Sequence, residues 1–91
     1  MSTKEKTSIA SETQDKLEDV KSLILFNDDV NTFDFVIDTL IDVCEHDPLQ
    51  AENCALIAHF KGKCPVKSGT GKELLPYFTE MTNRKLIVEI K

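Results

Sequence analysis

A continuous run of apolar residues at positions 23–26 leads directly into three acceptor-rich side chains, Asn27, Asp28 and Asp29. An uninterrupted apolar run of this length is typical of a buried strand. Because no glycine or proline separates the two segments, the strand delivers these side chains to its own end. Amide and carboxylate oxygens accept hydrogen bonds, so the segment predicts a site for a small cation at one end of a sheet.

The size and charge of the chain limit the functions open to it. The 91 residues form one small domain, which buries roughly 60–65% of its unfolded surface. A domain of this size favours a surface groove over a deep enzyme cleft. The net charge of −5 and the scattered lysines argue against binding to nucleic acid, whose phosphates need clustered basic residues.

The three cysteines lie at positions 44, 54 and 64, and no Cys-x-x-Cys pair occurs. The N-terminus also lacks the apolar core of a signal peptide, so we expect free thiols and a cytoplasmic location. Cys44 and His46 could form half of a metal site, but no second half follows, and we expect neither a metal nor another cofactor. No apolar run approaches the ~20 residues of a membrane span, so no membrane partner is expected.

Helical periodicity follows the polar segment. Thr32 provides an N-cap, and apolar residues then recur at i, i+3 and i+4 through residues 33–44, which predicts an amphipathic helix. A second helix begins at Pro48, where Asp47 caps the N-terminus, and ends at Gly62, because glycine readily adopts the positive φ of a helix C-terminus.

The third helix is harder to predict. Residues 70–73, Thr-Gly-Lys-Glu, match a capping box, which marks a helix N-terminus. Pro76 would then lie inside the helix, where proline costs about 3 kcal/mol. We therefore expect either a break at Pro76 or a short helix from about Pro76 to Asn83.

Strands are predicted at residues 21–26, 63–67 and 86–90. The second is an edge strand because Pro65 has no N–H to donate. Three strands with helices packed on one face make an α+β two-layer sandwich of order β-α-α-β-α-β, with the direction of the second strand relative to the first left open. The polar residues 1–20 predict a disordered tail, and the remaining residues form the single domain.

Two segments of the chain carry a family resemblance. The first is Asn27-Asp-Asp followed by Phe33-Asp-Phe-Val36, and the second is Ala-His-Phe-Lys-Gly-Lys at residues 58–63. The spacing between them agrees without a gap, and residues 86–90 fit a final strand. Over its predicted folded part the chain thereby resembles ClpS, the adaptor family of bacterial Clp ATPase–protease complexes.

The resemblance implies a non-catalytic adaptor in the N-degron pathway. Such adaptors bind proteins whose first residue is Leu, Phe, Tyr or Trp. They deliver these substrates to the N-terminal domain of a Clp ATPase, of the ClpA or ClpC type, for unfolding and proteolysis. We further expect a monomer without a nucleic-acid partner.

The resemblance also assigns residues to roles. The side chains implied to contact the α-amino group of the substrate are Asn27, Asp28, Asp29 and His59. Those implied to line the pocket for its first side chain are Asn31, Phe33, Val36, Ala55 and Leu86. Contacts to the ATPase are implied for Lys72 and Glu73. Many family members carry methionine where this chain has Phe33 and Ala55, which leaves the preferred first residue open.

Physical chemistry agrees with the amine assignment. An α-ammonium group has three N–H donors and, with a pKa of ~7.7–8.0, is mainly charged at pH 7. An amide oxygen, a carboxylate and a neutral imidazole nitrogen would supply three acceptors, one of them anionic. Blocking the amine would leave these acceptors without a partner, which gives specificity for a true N-terminus.

Two other interpretations compete with this one. The same two-layer sandwich resembles the C-terminal domain of the bacterial ribosomal stalk protein, an interaction domain that would use neither Asn27, Asp28 nor His59. That interpretation also predicts a lysine-rich helix, which the sequence lacks. An enzyme would need Asp28, Asp29 and His59 as a metal or acid–base cluster together with a further ligand or nucleophile, and none is visible.

Overall fold

Six elements follow one another in the predicted order. The structure, a computed structural model, describes residues 19–91, so residues 1–18 of the predicted disordered tail lie outside the described residues. The elements are β1 (Val20–Phe26), α1 (Phe33–Cys44), α2 (Pro48–Lys61), β2 (Lys63–Thr70), α3 (Gly71–Asn83) and β3 (Val88–Ile90). The predicted α+β class and β-α-α-β-α-β order are thus confirmed.

The three strands form one sheet in which β1 is central. The strand order is β2-β1-β3, and β1 pairs antiparallel with both neighbours. The direction that the apolar periodicity left open is therefore antiparallel. Pro65 lies on the edge strand β2, as predicted, and the register between β1 and β2 shifts between Leu23 and Ile24. Such a bulge accommodates a residue that cannot donate to the ladder.

The core lies between the sheet and the three helices. Side chains on alternate positions of β1, Leu23 and Leu25, are buried against Leu40 of α1 and against Leu74 and Met81 of α3. Alternation of this kind places one face of the sheet on the helices. The opposite face of β1 is only half-buried.

The predicted caps of α1 and α2 are confirmed. The Thr32 hydroxyl accepts a hydrogen bond from the Phe35 N–H at 3.1 Å. The Asp47 carboxylate accepts from the Gln50 N–H at 2.8 Å, and Pro48 occupies the first turn of α2. Gly62 follows α2 with a φ of 93°, a left-handed conformation that glycine adopts without strain.

The prediction for α3 was wrong, because the helix runs without a break from Gly71 to Asn83. Its first turn has the full capping box, in which Thr70 and Glu73 exchange hydrogen bonds of 2.9 and 3.1 Å. Because Pro76 has no N–H, the carbonyl group of Lys72 lacks its helical partner. Both residues are exposed, so this carbonyl group is open to water. Burial of Leu74 and Met81, each 0% exposed, outweighs the ~3 kcal/mol cost of an internal proline.

The last two strands differ in length from their predicted ranges. β2 continues three residues further, to Thr70, because its end pairs with Val20 at the start of β1. β3 begins only at Val88, two residues later than predicted. The N–H of Leu86 donates to the Met81 carbonyl at 3.0 Å, so this residue belongs to the turn that ends α3.

A buried histidine ties the α1–α2 connection to the sheet. His46 is 5% exposed, and its Nε2 lies 2.6 Å from the Val66 carbonyl oxygen. Because a carbonyl oxygen only accepts, Nε2 carries the proton and donates it. The residue considered above as half of a metal site therefore has a partner in β2.

Replacing His46 is expected to destabilise the fold. The His46→Ala substitution leaves the buried Val66 carbonyl without a donor and opens a cavity, which lowers the free energy of unfolding by about 2 kcal/mol. Urea denaturation measures this value. His59→Ala is the matched control, because His59 is exposed and its loss should change stability by about 0.5 kcal/mol or less. Equal losses of unfolding free energy in the two variants would contradict a stabilising role for the hydrogen bond between His46 and Val66.

Candidate functional site

A pocket of about 590 Å³ lies where the end of β1, the start of α1 and the second half of α2 come together. Its polar lining consists of Asn27, Asp28, Asp29, Asn31 and His59. Its apolar lining is contributed by the same three elements. The pocket thus combines a polar segment with apolar walls.

A backbone hydrogen bond brings the two halves of this site together. The Asn27 N–H donates to the Gly62 carbonyl at 2.9 Å, and the Gly62 N–H donates to the Ala58 carbonyl at 2.9 Å. The end of β1 is thereby attached to the C-terminus of α2. His59 lies in the last turn of α2 and so reaches the same pocket as the Asn27-Asp28-Asp29 segment.

Asp28 organises the loop that follows β1. Its Oδ1 accepts hydrogen bonds from the N–H groups of Val30 at 2.8 Å and Asn31 at 2.7 Å. Its Oδ2 accepts from the Asn31 side-chain amide at 3.1 Å. A carboxylate has about four acceptor positions, so three hydrogen bonds leave one of them for a ligand. Asp28 is therefore both a loop anchor and an available anion.

The hydrogen bonds also keep Asp28 ionised. Burial alone raises the pKa of Asp28, but the hydrogen bonds from Asn31 and Val30 together outweigh it, so the pKa lies below its ordinary value of 3.8. For a carboxyl with a lowered pKa, the stabilisation is complete above the ordinary value and is lost as the pH falls through the lowered one. The loop and its negative charge therefore persist through neutral and mildly acidic pH.

His59 is held between two aromatic rings at the edge of the pocket. The ring centroids of Phe33 and His59 are 5.8 Å apart at an interplanar angle of 79°. Those of His59 and Phe60 are 4.9 Å apart at 80°. Both are edge-to-face contacts, which aromatic rings favour. They favour this orientation of the imidazole, and the residue remains exposed.

The apolar walls combine large and small side chains. Phe33 and Val36 line the pocket from one turn of α1, and Ala55 and Ala58 line it from one turn of α2. The two alanines are almost fully buried, at 3% and 4% exposed, whereas Phe33 is 40% exposed. An exposed aromatic surface facing two small residues provides room for a sizeable apolar group.

Eight of the nine residues predicted to contact a substrate line this pocket. The ninth, Leu86, does not line it. Leu86 is 4% exposed in the hydrophobic core, where the turn after α3 places it. The two residues predicted to contact an ATPase, Lys72 and Glu73, are exposed in the first turn of α3. One oxygen of Glu73 is used there by the capping box.

The sequence prediction did not include five residues that line the pocket, namely Leu25, Phe26, Leu56, Ala58 and Phe60. Four of them have the periodicity of ordinary core or helix-surface residues, which gives no signal for a site. Phe60 could have been found, because it is the aromatic residue that follows His59 in the second family segment.

Burial keeps two of the three thiols protonated. Cys44, Cys54 and Cys64 are free. Burial raises the pKa of Cys44 to about 11 and that of Cys64 to about 12, so both remain protonated at neutral pH.

Across residues 19–91, no three His, Cys, Asp or Glu side chains are grouped in a way that could hold a metal ion. In the same part of the chain, none of the helices has the length and apolar character needed to span a membrane.

The chain is similar to a known protein family and to solved structures. A family model described as "ATP-dependent Clp protease adaptor protein ClpS" matches residues 8–86. Among solved structures, the fold is similar to that of Agrobacterium tumefaciens ClpS2 bound to L-phenylalaninamide, with a TM-score of 0.76 and 18% sequence identity. The match covers 82% of this chain and 96% of that one. No curated protein sequence matches this chain. At this identity the structural similarity shows a shared fold.

Proposed function

The chain belongs to the ClpS family of ATP-dependent Clp protease adaptor proteins, and from this premise we propose that its pocket binds the N-terminal residue of N-degron substrates. The adaptor would recognise the free α-amino group together with a large hydrophobic first side chain. It would then deliver the substrate to a Clp ATPase of the ClpA or ClpC type. The two segments that suggested the family at the outset both contribute to the pocket.

The main support for this proposal is that hydrogen-bond acceptors and apolar walls lie together in one pocket. An N-terminal residue is complementary to this combination, because it carries a cationic amine and a side chain on the same carbon. L-phenylalaninamide, bound in the A. tumefaciens protein, has both groups. The pocket of this chain offers a counterpart for each of them.

The amine is assigned to the polar end of the pocket. Asn27 and His59 each supply a neutral acceptor, and Asp28 supplies the remaining acceptor position of its charged carboxylate. Hydrogen bonds to an ionised group are about twice as strong as neutral ones. Asp29 lies beside them, exposed and lining the same pocket, and adds a second negative charge.

The first side chain is assigned to the apolar walls. Phe33 and Val36 on one side and Ala55 on the other would contact it, and Asn31 lies between these walls and the amine-binding segment. Leu86 is left out of this assignment, because it does not line the pocket. The ATPase would dock outside the pocket, at the first turn of α3, where Lys72 and Glu73 are exposed. The ribosomal stalk interpretation, in contrast, assigns no role to the pocket.

Changing only the first residue of a peptide tests the proposal. A peptide that begins with phenylalanine is expected to bind about tenfold more tightly than the same peptide beginning with alanine, because the benzyl group buries apolar surface in the pocket. Fluorescence anisotropy with a labelled peptide C-terminus measures both affinities. Equal affinities would refute recognition of the first side chain.

Two phenylalanines of α1 provide a matched pair of variants for the same titration. Phe33 and Phe35 are 40% and 38% exposed, but of the two only Phe33 lines the pocket. The Phe33→Ala substitution should remove most of the preference for phenylalanine over alanine. The Phe35→Ala substitution should leave that preference unchanged.

A further inference from the structure

Asn31 is a polar residue set among the apolar walls of the pocket, and its side-chain amide has a fixed orientation. Its Nδ2 donates to Asp28 Oδ2 at 3.1 Å and to the Lys85 carbonyl oxygen at 2.9 Å. A carboxylate and a carbonyl are acceptors only, so a flipped amide would place its own oxygen against two other oxygens. Nδ2 therefore faces these two partners.

The fixed orientation determines what Asn31 offers to a ligand. Both hydrogens of Nδ2 are used by the protein, so the group that remains is the acceptor Oδ1. Asn31 is half-buried and lines the pocket. A substrate side chain that fills the pocket beside Asn31 would remove water from this oxygen. The oxygen must then either receive a hydrogen bond from that side chain or remain unpaired, which is unfavourable.

The proposed amine contacts do not need this acceptor. An α-ammonium has three N–H groups, for which Asn27, Asp28 and His59 are the assigned partners. Oδ1 of Asn31 is thus available to the first side chain. Among large first side chains, the indole of tryptophan and the phenol of tyrosine carry a donor, whereas phenylalanine and leucine carry none.

We propose that Asn31 makes the pocket select aromatic first residues that carry a ring N–H or O–H donor, tryptophan and tyrosine, over phenylalanine and leucine. This inference rests on the proposed function, since it concerns the same pocket. Its physical basis is general: a site built to receive a hydrogen bond rejects an analogue that lacks the donor, because the buried acceptor is left unpaired. The pocket volume of about 590 Å³ leaves room for a bicyclic ring.

Peptide pairs of nearly equal shape test the selection. The first pair begins with tryptophan or with 3-benzothienylalanine, in which sulfur replaces the ring N–H. The second begins with tyrosine or with 4-fluorophenylalanine, in which fluorine replaces the hydroxyl. In each pair the member with a donor is expected to bind about three- to tenfold more tightly, which is the effect of one net hydrogen bond.

Two variants assign the effect to Asn31. Asn31→Ala removes Oδ1 and should bring the affinity ratio within each pair to about one, even if the lost Nδ2 hydrogen bonds weaken all four peptides. Asn53→Ala is the matched control, because Asn53 is an exposed asparagine of α2 outside the pocket lining, and it should preserve both ratios.

Each outcome has a defined meaning. A donor preference in either pair that disappears in Asn31→Ala supports the inference. Equal affinities within both wild-type pairs overturn it, as does a preference that persists in Asn31→Ala. If Asn31→Ala does not fold, the wild-type pairs decide alone. Peptides that bind equally well with free and acetylated N-termini would instead refute the proposed function, so the two failures are distinguishable.

Discussion

Acetylating the N-terminus of a peptide that begins with phenylalanine is expected to weaken its binding by at least about a hundredfold, because two or more hydrogen bonds from a charged group are lost together. The acetyl group removes the positive charge and leaves a single N–H in place of three. Asn27, His59 and the free acceptor position of Asp28 would then be covered by the peptide without adequate donors. The cost of unpaired acceptors in a partly buried site adds to the lost attraction.

A competition titration against a labelled peptide with a free N-terminus measures this loss. The control peptide has the same sequence with one internal lysine acetylated on its side chain, which changes the net charge equally but leaves the α-amino group free. That control should bind like the unmodified peptide. A similar affinity for the N-acetylated peptide and the control would show that the pocket does not recognise an amino terminus.

The elements with local signals were predicted well, for a physical reason. The caps at Thr32 and Asp47 and the end of α2 at Gly62 depend on side chains and conformations within four residues of each helix terminus. Such interactions are contained in the sequence of the segment itself. Apolar periodicity then predicted which faces of the helices and strands are buried, and these faces predicted the α+β class.

The third helix shows where local reasoning fails. The cost of Pro76 is local and was counted, whereas the gain from burying Leu74 and Met81 depends on the sheet and on α1 and could not be counted beforehand. The capping box at Thr70 and Glu73 was recognised but was given less weight than the proline. Tertiary packing commonly outweighs propensity in this way.

The candidate site was predicted from two segments, and the structure adds the contact that joins them. The hydrogen bond from Asn27 to Gly62 connects positions that are far apart in the chain, so no periodicity could reveal it. The hydrogen bonds of Asp28 within its loop were also beyond the sequence pattern. They change the interpretation of Asp28 from a simple ligand to a residue that shapes the loop as well.

The dual role of Asp28 leads to a prediction with a large effect. Asp28→Ala removes the charge proposed to bind the ammonium and also the acceptor of three loop hydrogen bonds, so the affinity for a phenylalanine peptide should fall by about a hundredfold. Asp28→Asn keeps Oδ1 for the N–H groups of Val30 and Asn31 but removes the charge, and should cost about tenfold.

The same titration with Asp38→Ala provides the charge control, because Asp38 is an exposed acidic residue of α1 that does not line the pocket. This variant should bind like the wild type. Urea denaturation of all three variants separates loss of the site from loss of the fold, since hydrogen bonds within a loop at the end of a strand contribute less to global unfolding than the buried core does. If Asp28→Ala and Asp38→Ala weakened binding equally, the effect would be one of net charge, and Asp28 would not bind the amine. If Asp28→Asn were as weak as Asp28→Ala, the charge rather than the loop would determine affinity.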